Sequence, residues 1–168
     1  VVVINGVSKA YAMTGWRIGY CCAPVELAKA VTKLQSQYTS GPSSIAQKAA
    51  EAAYSGPQEC VEEMRQAFER RRNLVVELAS QIPGLKVNMP HGAFYLFPEV
   101  SSFFGKSYNG TTIHNASDLA LYLLAEAHVA TVDGEAFGMP GYIRLSYATS
   151  DDNIREAMRR IADALAKL

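Results

Sequence analysis

Apolar positions along this chain fall into three textures. The first is an unalternated run at the start, Val1-Val2-Val3-Ile4, which predicts a buried, parallel strand. Such a strand needs neighbours on both sides, and few candidates follow soon after it, so the chain is expected to be a piece of something longer. Arg17 to Ala23 is a second short strand candidate. The next texture is helical. Pro24 suits the first turn of a helix running to about Tyr38, with Leu27, Ala30, Val31 and Leu34 at helical spacing. Ser40-Gly41-Pro42-Ser43 breaks it. Ser44 to Tyr54 predicts a helix of small residues, Ala46, Ala49, Ala50 and Ala53, expected to pack closely on another element. From about Gln58 to Gln81 an apolar stripe of Val61, Met64, Phe68, Val75, Leu78 and Ile82 faces away from charged positions, and Pro83-Gly84 ends that helix.

From Leu85 the texture becomes mixed. Short strands are predicted at Leu85 to Val87, Ala93 to Phe97, Val129 to Val132 and Tyr142 to Tyr147. They alternate with helices from about Ser117 to Ala127 and from about Asp151 to Leu168. Thr149 or Ser150 is a natural N-cap for the latter, and Asp151 and Asp152 suit the positive end of its dipole. Ser101 to His114 is predicted to be a polar loop. The expected class is α/β. Residues 1–41 form the tail of a larger sheet domain, residues 42–84 are connecting helices, and residues 85–168 form a small α+β domain.

Charge narrows the possible partners. Sixteen Lys and Arg balance sixteen Asp and Glu among 168 residues, which counts against nucleic acid or an anionic membrane as the main partner. No apolar run approaches the roughly 20 residues of a membrane span. Cys21, Cys22 and Cys60 make neither a disulfide framework nor a zinc site, so a reducing, cytoplasmic setting is the default. Cys21 and Cys22 are expected to be buried in a strand. His91, His114 and His128 have no ligand spacing and are expected to be structural or exposed.

Four places carry candidate chemistry. Lys9 lies in Ser8-Lys9-Ala10-Tyr11-Ala12-Met13-Thr14-Gly15-Trp16-Arg17, a stretch of small and aromatic residues with few charges. A lysine just past a strand end reaches into a cleft, and desolvation beside another cation would make its amine competent for a Schiff base. Arg17, after a turn at Thr14-Gly15, returns to the same place with a fork suited to a phosphate. The alternative is two surface residues on a loop. Arg144 lies in Tyr142-Ile143-Arg144-Leu145-Ser146-Tyr147, where alternation puts it on the face opposite Ile143, Leu145 and Tyr147. It suits a carboxylate, or else an edge-strand ion pair. The loop Asp133 to Gly141 has three glycines, which permit a tight backbone next to a ligand or mark a plain surface connection. Arg70-Arg71-Arg72 offers a phosphate site, against a solvated helix face that its helical setting favours.

Taken in order, these stretches resemble class I aminotransferases of the aspartate aminotransferase type. Ser8-Lys9 through Arg17-Ile18-Gly19-Tyr20 resembles their cofactor-lysine signature. Pro90-His91-Gly92-Ala93-Phe94-Tyr95 is similar to their Pro-x-Gly-Ala-Phe-Tyr strand. Asp133-Gly134 through Ala148 is similar to their Gly-x-x-Phe-Gly loop leading into an Arg-Leu-Ser strand. The resemblance implies the C-terminal part of the pyridoxal-phosphate-dependent transferase fold, the cofactor pyridoxal 5'-phosphate, a homodimer with active sites at the subunit interface, and amino-acid and 2-oxo-acid substrates. It implies that Lys9 binds the cofactor covalently and moves the substrate proton, that Arg17 binds the cofactor phosphate, and that Arg144 holds the substrate α-carboxylate. Gly6 stands where many members have a phosphate-binding serine, and Asp133-Gly134 stands where Pro-Gly is common. The Asp, Asn and Tyr that hold the cofactor ring in the family have no counterpart here, so the chain by itself is expected to be inactive. Two further expectations stay open: another reaction on the same fold, such as β-elimination or a different amino-acid specificity, and a non-catalytic domain.

Overall fold

Strand β1 (Val3–Gly6) and strand β2 (Gly19–Cys22) pair antiparallel, with Val3 opposite Cys22 and Gly6 opposite Gly19. The partner of the opening strand within this chain is thus antiparallel, where a parallel one was expected. Val1 to Ile4 are exposed, Ile4 at 81%. An apolar run reports the wish to be covered but not the direction of its partner, and a two-stranded ribbon leaves both its faces open. Cys21 and Cys22, on the same ribbon, are exposed rather than buried. Helix α1 (Val25–Tyr38) starts directly after Pro24. Helix α2 (Ser44–Ser55) buries Ala46 and Ala50, one turn apart on one face. Ala49 and Ala53 are half-buried.

The computed structural model describes all 168 residues and divides into two compact units, Val1–Arg65 and Gln66–Leu168. Helix α3 (Glu59–Ser80) begins in the first and continues into the second. Its buried residues are Leu74, Val75 and Ala79, while Phe68 and Leu78 are partly covered.

The second unit is organised on a three-stranded antiparallel sheet. Strand β3 (Tyr95–Leu96) comes first, then a hairpin of β4 (Ser107–Tyr108) and β5 (Thr111–Thr112), then helix α4 (Ala116–Tyr122). Strands β6 (Val132–Asp133) and β7 (Ile143–Ser146) follow, and helix α5 (Asp151–Leu165) closes the chain. The sheet order is β3-β7-β6, so β7 is central. Leu96, Phe103, Leu119, Ile143, Leu145 and Ile161 are among the residues of one continuous core.

Four local expectations change. The strand predicted at Leu85 to Val87 is a single bridge, in which the Lys86 and Glu99 N–H groups each donate to the other's carbonyl, at 3.2 and 3.0 Å. The segment Ser101 to His114 is not simply a polar loop. Phe103 and Ile113 anchor it in the core, and Asn109-Gly110 turns the β4-β5 hairpin. The helix predicted to start at Ser117 is capped earlier, by Asn115. Its side chain accepts from the Asp118 N–H at 2.9 Å, while Asp118 accepts from the His114 N–H at 2.9 Å. That helix then widens into a π-turn over Leu123–Ala127 and ends at His128, in the left-handed region with φ 54°.

At the start of α5, the Ser150 hydroxyl accepts from the Asn153 N–H at 3.2 Å, which settles the N-cap. The same helix end is tied to α3. Arg70 Nε donates to Asp151 at 2.9 Å and Arg71 Nε at 3.3 Å. Arg72 instead pairs with Glu69 at 3.6 Å. The arginine run is thus a set of ion pairs on a helix face. The Asp151 carboxyl lies below its ordinary value of 3.8, first because Arg70 hydrogen-bonds to it and further because Arg71 does.

A carboxyl depressed in the folded state contributes stability above its ordinary value, and that contribution is lost as pH falls through the lower folded value. Asp151→Asn therefore lowers the thermal midpoint near neutral pH. The gap to the parent closes as the pH drops to about 2, in melts run across that range. A gap that stays constant with pH would remove the charge-based account.

Candidate functional site

Lys9 stands in the loop that joins the two strands of the ribbon. Val7, fully buried, roots the loop, and the Tyr11 N–H returns to the Val7 carbonyl at 3.3 Å. The Ala12 N–H closes a turn on the Lys9 carbonyl at 3.2 Å. A 3₁₀ turn, Thr14–Trp16, then reverses the chain and ends at Arg17, whose φ of 56° is left-handed. Arg17 uses its own side chain to hold that geometry, since its guanidinium donates to the Thr14 carbonyl at 2.9 Å. The ribbon closes tightly beneath. A Cβ on Gly6 would lie 2.8 Å from the Ile18 carbonyl oxygen and 3.0 Å from Gly19 Cα. A serine at this position would not fit without parting the strands, which gives the departure at Gly6 a physical reason.

These turns bring Lys9 and Arg17 to one cavity of about 470 Å³, lined also by Asn5, Gly6, Ser8, Ala10, Ile18 and Gly19. Two cations and no carboxylate line it, so it suits an anion. Both side chains are exposed, which differs from the desolvated setting expected for Lys9.

Arg144 belongs to the second unit and is built differently. On β7, Ile143 and Leu145 turn into the core, and Arg144 points from the other face. The strand is central and no carboxylate in the chain pairs with Arg144, so the edge-strand ion pair is excluded. Its guanidinium carbon lies 4.4 Å from the ring centroid of Tyr95 and 4.4 Å from that of Phe137. Those two rings were not singled out from the sequence as its neighbours. The signal for Tyr95 was the ladder: Tyr95 faces Ser146 directly, which puts it diagonal to Arg144 on the same face.

Phe137 arrives through the glycine loop. The Gly134 N–H donates to the Tyr142 carbonyl at 2.7 Å, and the N–H groups of Phe137 and Met139 return to the Gly134 carbonyl at 2.9 Å each. A Cβ on Gly134 would sit 2.1 Å from the Met139 carbonyl oxygen and 2.8 Å from that of Tyr142. The loop is therefore a built turn rather than a plain connection. The three histidines are exposed, and none of them lines the cavity at Lys9.

Gly134→Ala is expected to lower stability by about 1–3 kcal/mol, the usual range for forcing atoms into a packed site. Urea denaturation measures it. An unchanged midpoint would mean that the turn opens at no cost.

Known proteins bear on both places. Residues 1–161 match the family described as aminotransferase class I and II. An aspartate aminotransferase of Rhizobium meliloti (strain 1021) is 50% identical over 168 residues, spanning 99% of this chain and 41% of its own length. An aspartate/prephenate aminotransferase of Nitrosomonas europaea is 48% identical over 167 residues, covering 98% of this chain and 42% of the relative. The crystal structure of the aspartate aminotransferase from Rhizobium meliloti superposes with a TM-score of 0.95 at 49% identity, over 99% of this chain and 42% of that one. The α/β architecture expected from sequence is that of the matching part of this enzyme, and the chain spans about two-fifths of the length of the relatives it matches. With its 161 matched residues and these relatives, the chain belongs to the aminotransferase class I and II family.

Proposed function

We propose that this chain is the cofactor-lysine part of a pyridoxal-phosphate-dependent aminotransferase. The whole protein moves an amino group from aspartate or a similar L-amino acid to a 2-oxo acid. One observation carries the proposal: Lys9 and Arg17 line a single cavity that contains no carboxylate. An amine and a guanidinium there match an aldehyde and a phosphate on one small molecule. The relatives named for aspartate support the substrate class. The one named for prephenate as well supports some breadth among oxo acids, prephenate being one.

Pyridoxal phosphate, when bound, supplies an electron sink for the pair left on the substrate α-carbon as its proton departs. The chain's own residues supply the rest. Arg17 binds the phosphate through N–H donors not committed to the Thr14 carbonyl. Lys9 would hold the cofactor, and its free amine would be the base that takes the substrate's α-carbon proton and gives it up again. Arg144 receives the substrate α-carboxylate on its guanidinium edge. Fixing the carboxylate orients the α-carbon, and orientation lowers the barrier to proton removal.

The assembly follows the same reading. Residues 1–41 are the end of the cofactor domain, 42–84 are connecting helices, and 85–168 are the small domain of a cytoplasmic homodimer. No helix is long and apolar enough to cross a membrane.

Borohydride reduction of the cofactor-loaded protein, followed by peptide mapping, is expected to leave the label on Lys9. Lys9→Arg is expected to lower kcat by at least roughly a hundredfold. A label on another lysine would overturn the assignment. Elimination products without transfer of the amino group would overturn the reaction class.

A further inference from the structure

Arg144 is held by two ring faces. A guanidinium is planar, and its five N–H donors lie in that plane. Its central carbon lies over the Tyr95 ring and over the Phe137 ring, 4.4 Å from each centroid. No carboxylate of the chain engages its edge. The arrangement presents a fork that is oriented but unspent.

Each ring is itself supported. Phe94 lies against Tyr95 at 4.5 Å between centroids. Just upstream, Ala93 is left-handed with φ 60°, an uncommon state for a residue with a Cβ. Tyr147 holds it there: its hydroxyl donates to the Ala93 carbonyl at 3.0 Å and its N–H to the Phe94 carbonyl at 2.9 Å. Phe137 meets Phe97 edge-on at 6.1 Å, and Phe97 stacks on Tyr142 at 5.3 Å. The Gly134 turn fixes the Phe137 backbone.

We propose that Tyr95 and Phe137 are positioning residues for the substrate carboxylate. They clamp the guanidinium plane of Arg144 by cation–π contact, so its edge meets a carboxylate without first losing side-chain freedom. This rests on the reading of Arg144 as the carboxylate anchor. It adds that the affinity of that anchor is set by the charge distribution of two rings, not by Arg144 alone.

The test uses the natural-length, cofactor-loaded protein. Pentafluorophenylalanine incorporated in place of Phe137 inverts the polarity of the ring face and keeps its shape. Binding of succinate, an unreactive dicarboxylate, is measured by calorimetry, and KM and kcat for the amino acid are measured beside it. The variant is expected to bind succinate roughly threefold to tenfold more weakly, with KM rising more than kcat falls. Tyr95→Leu is expected to weaken binding in the same way, and Tyr95→Phe, which keeps a ring face, to recover most of it. Arg144→Lys separates the two claims. If it weakens succinate binding while the fluorinated ring does not, the clamp is overturned and the carboxylate anchor stands. If neither change alters binding, the reading of Arg144 falls and the clamp falls with it.

Discussion

Strand β7 has two faces with opposite duties, because successive side chains along a strand point to opposite sides. Ile143 and Leu145 face inward and are almost fully buried, and Tyr147 continues that face just beyond the strand. The core of the second unit, with Leu96, Phe103, Leu119 and Ile161, is assembled on them. Arg144 occupies the single residue between two core residues. It can be neither shifted in register nor turned inward without exposing Ile143 and Leu145. The fixed position of Arg144 is thus inherited from hydrophobic burial on the opposite face. Pairing on both sides, with β3 and β6, completes the constraint.

The first unit solves a different problem with little core. Val7, Ala46 and Ala50 are its buried apolar residues. The Lys9 loop is shaped mainly by backbone hydrogen bonds, by left-handed residues at Ala12 and Arg17, and by the close approach of Gly6 to Ile18 and Gly19. Left-handed non-glycine residues are held only where their surroundings insist on them. At Arg17 the contact is intramolecular, from its guanidinium to the Thr14 carbonyl, so one side chain both shapes the loop and lines the cavity.

Charge in the second unit is spent on the joints of helices. Arg70 and Arg71 converge on Asp151, and on α5 Arg159 and Arg160 draw the Glu156 carboxyl down to about 2 through their hydrogen bonds. Such partly solvated pairs are each weak; those to Asp151 tie α3 to the start of α5, while those to Glu156 lie within α5. Arg144 differs in having rings rather than carboxylates beside it. That contrast is what marks it chemically among the arginines of the chain.

Periodicity alone placed α1, α2, α3 and α5 to within a few residues, because burial of one helix face repeats every turn whatever the partner is. Local chemistry likewise narrowed the α5 cap to Thr149 or Ser150, of which the structure uses Ser150, and assigned the two faces of β7. The motifs around Lys9, Tyr95 and Arg144 carried the family, because those residues are set by local turns and alternation. What needed three dimensions were partners far apart in sequence. The antiparallel, exposed state of β1 depends on β2, and the π-turn after α4 on packing of Leu123 and Ala127. The placing of Phe137 over Arg144 depends on a turn that Gly134 closes onto Tyr142. A sequence states which side chains want to be buried or charged. Only the fold decides which rings meet which cation, because that contact is a distance and not a pattern.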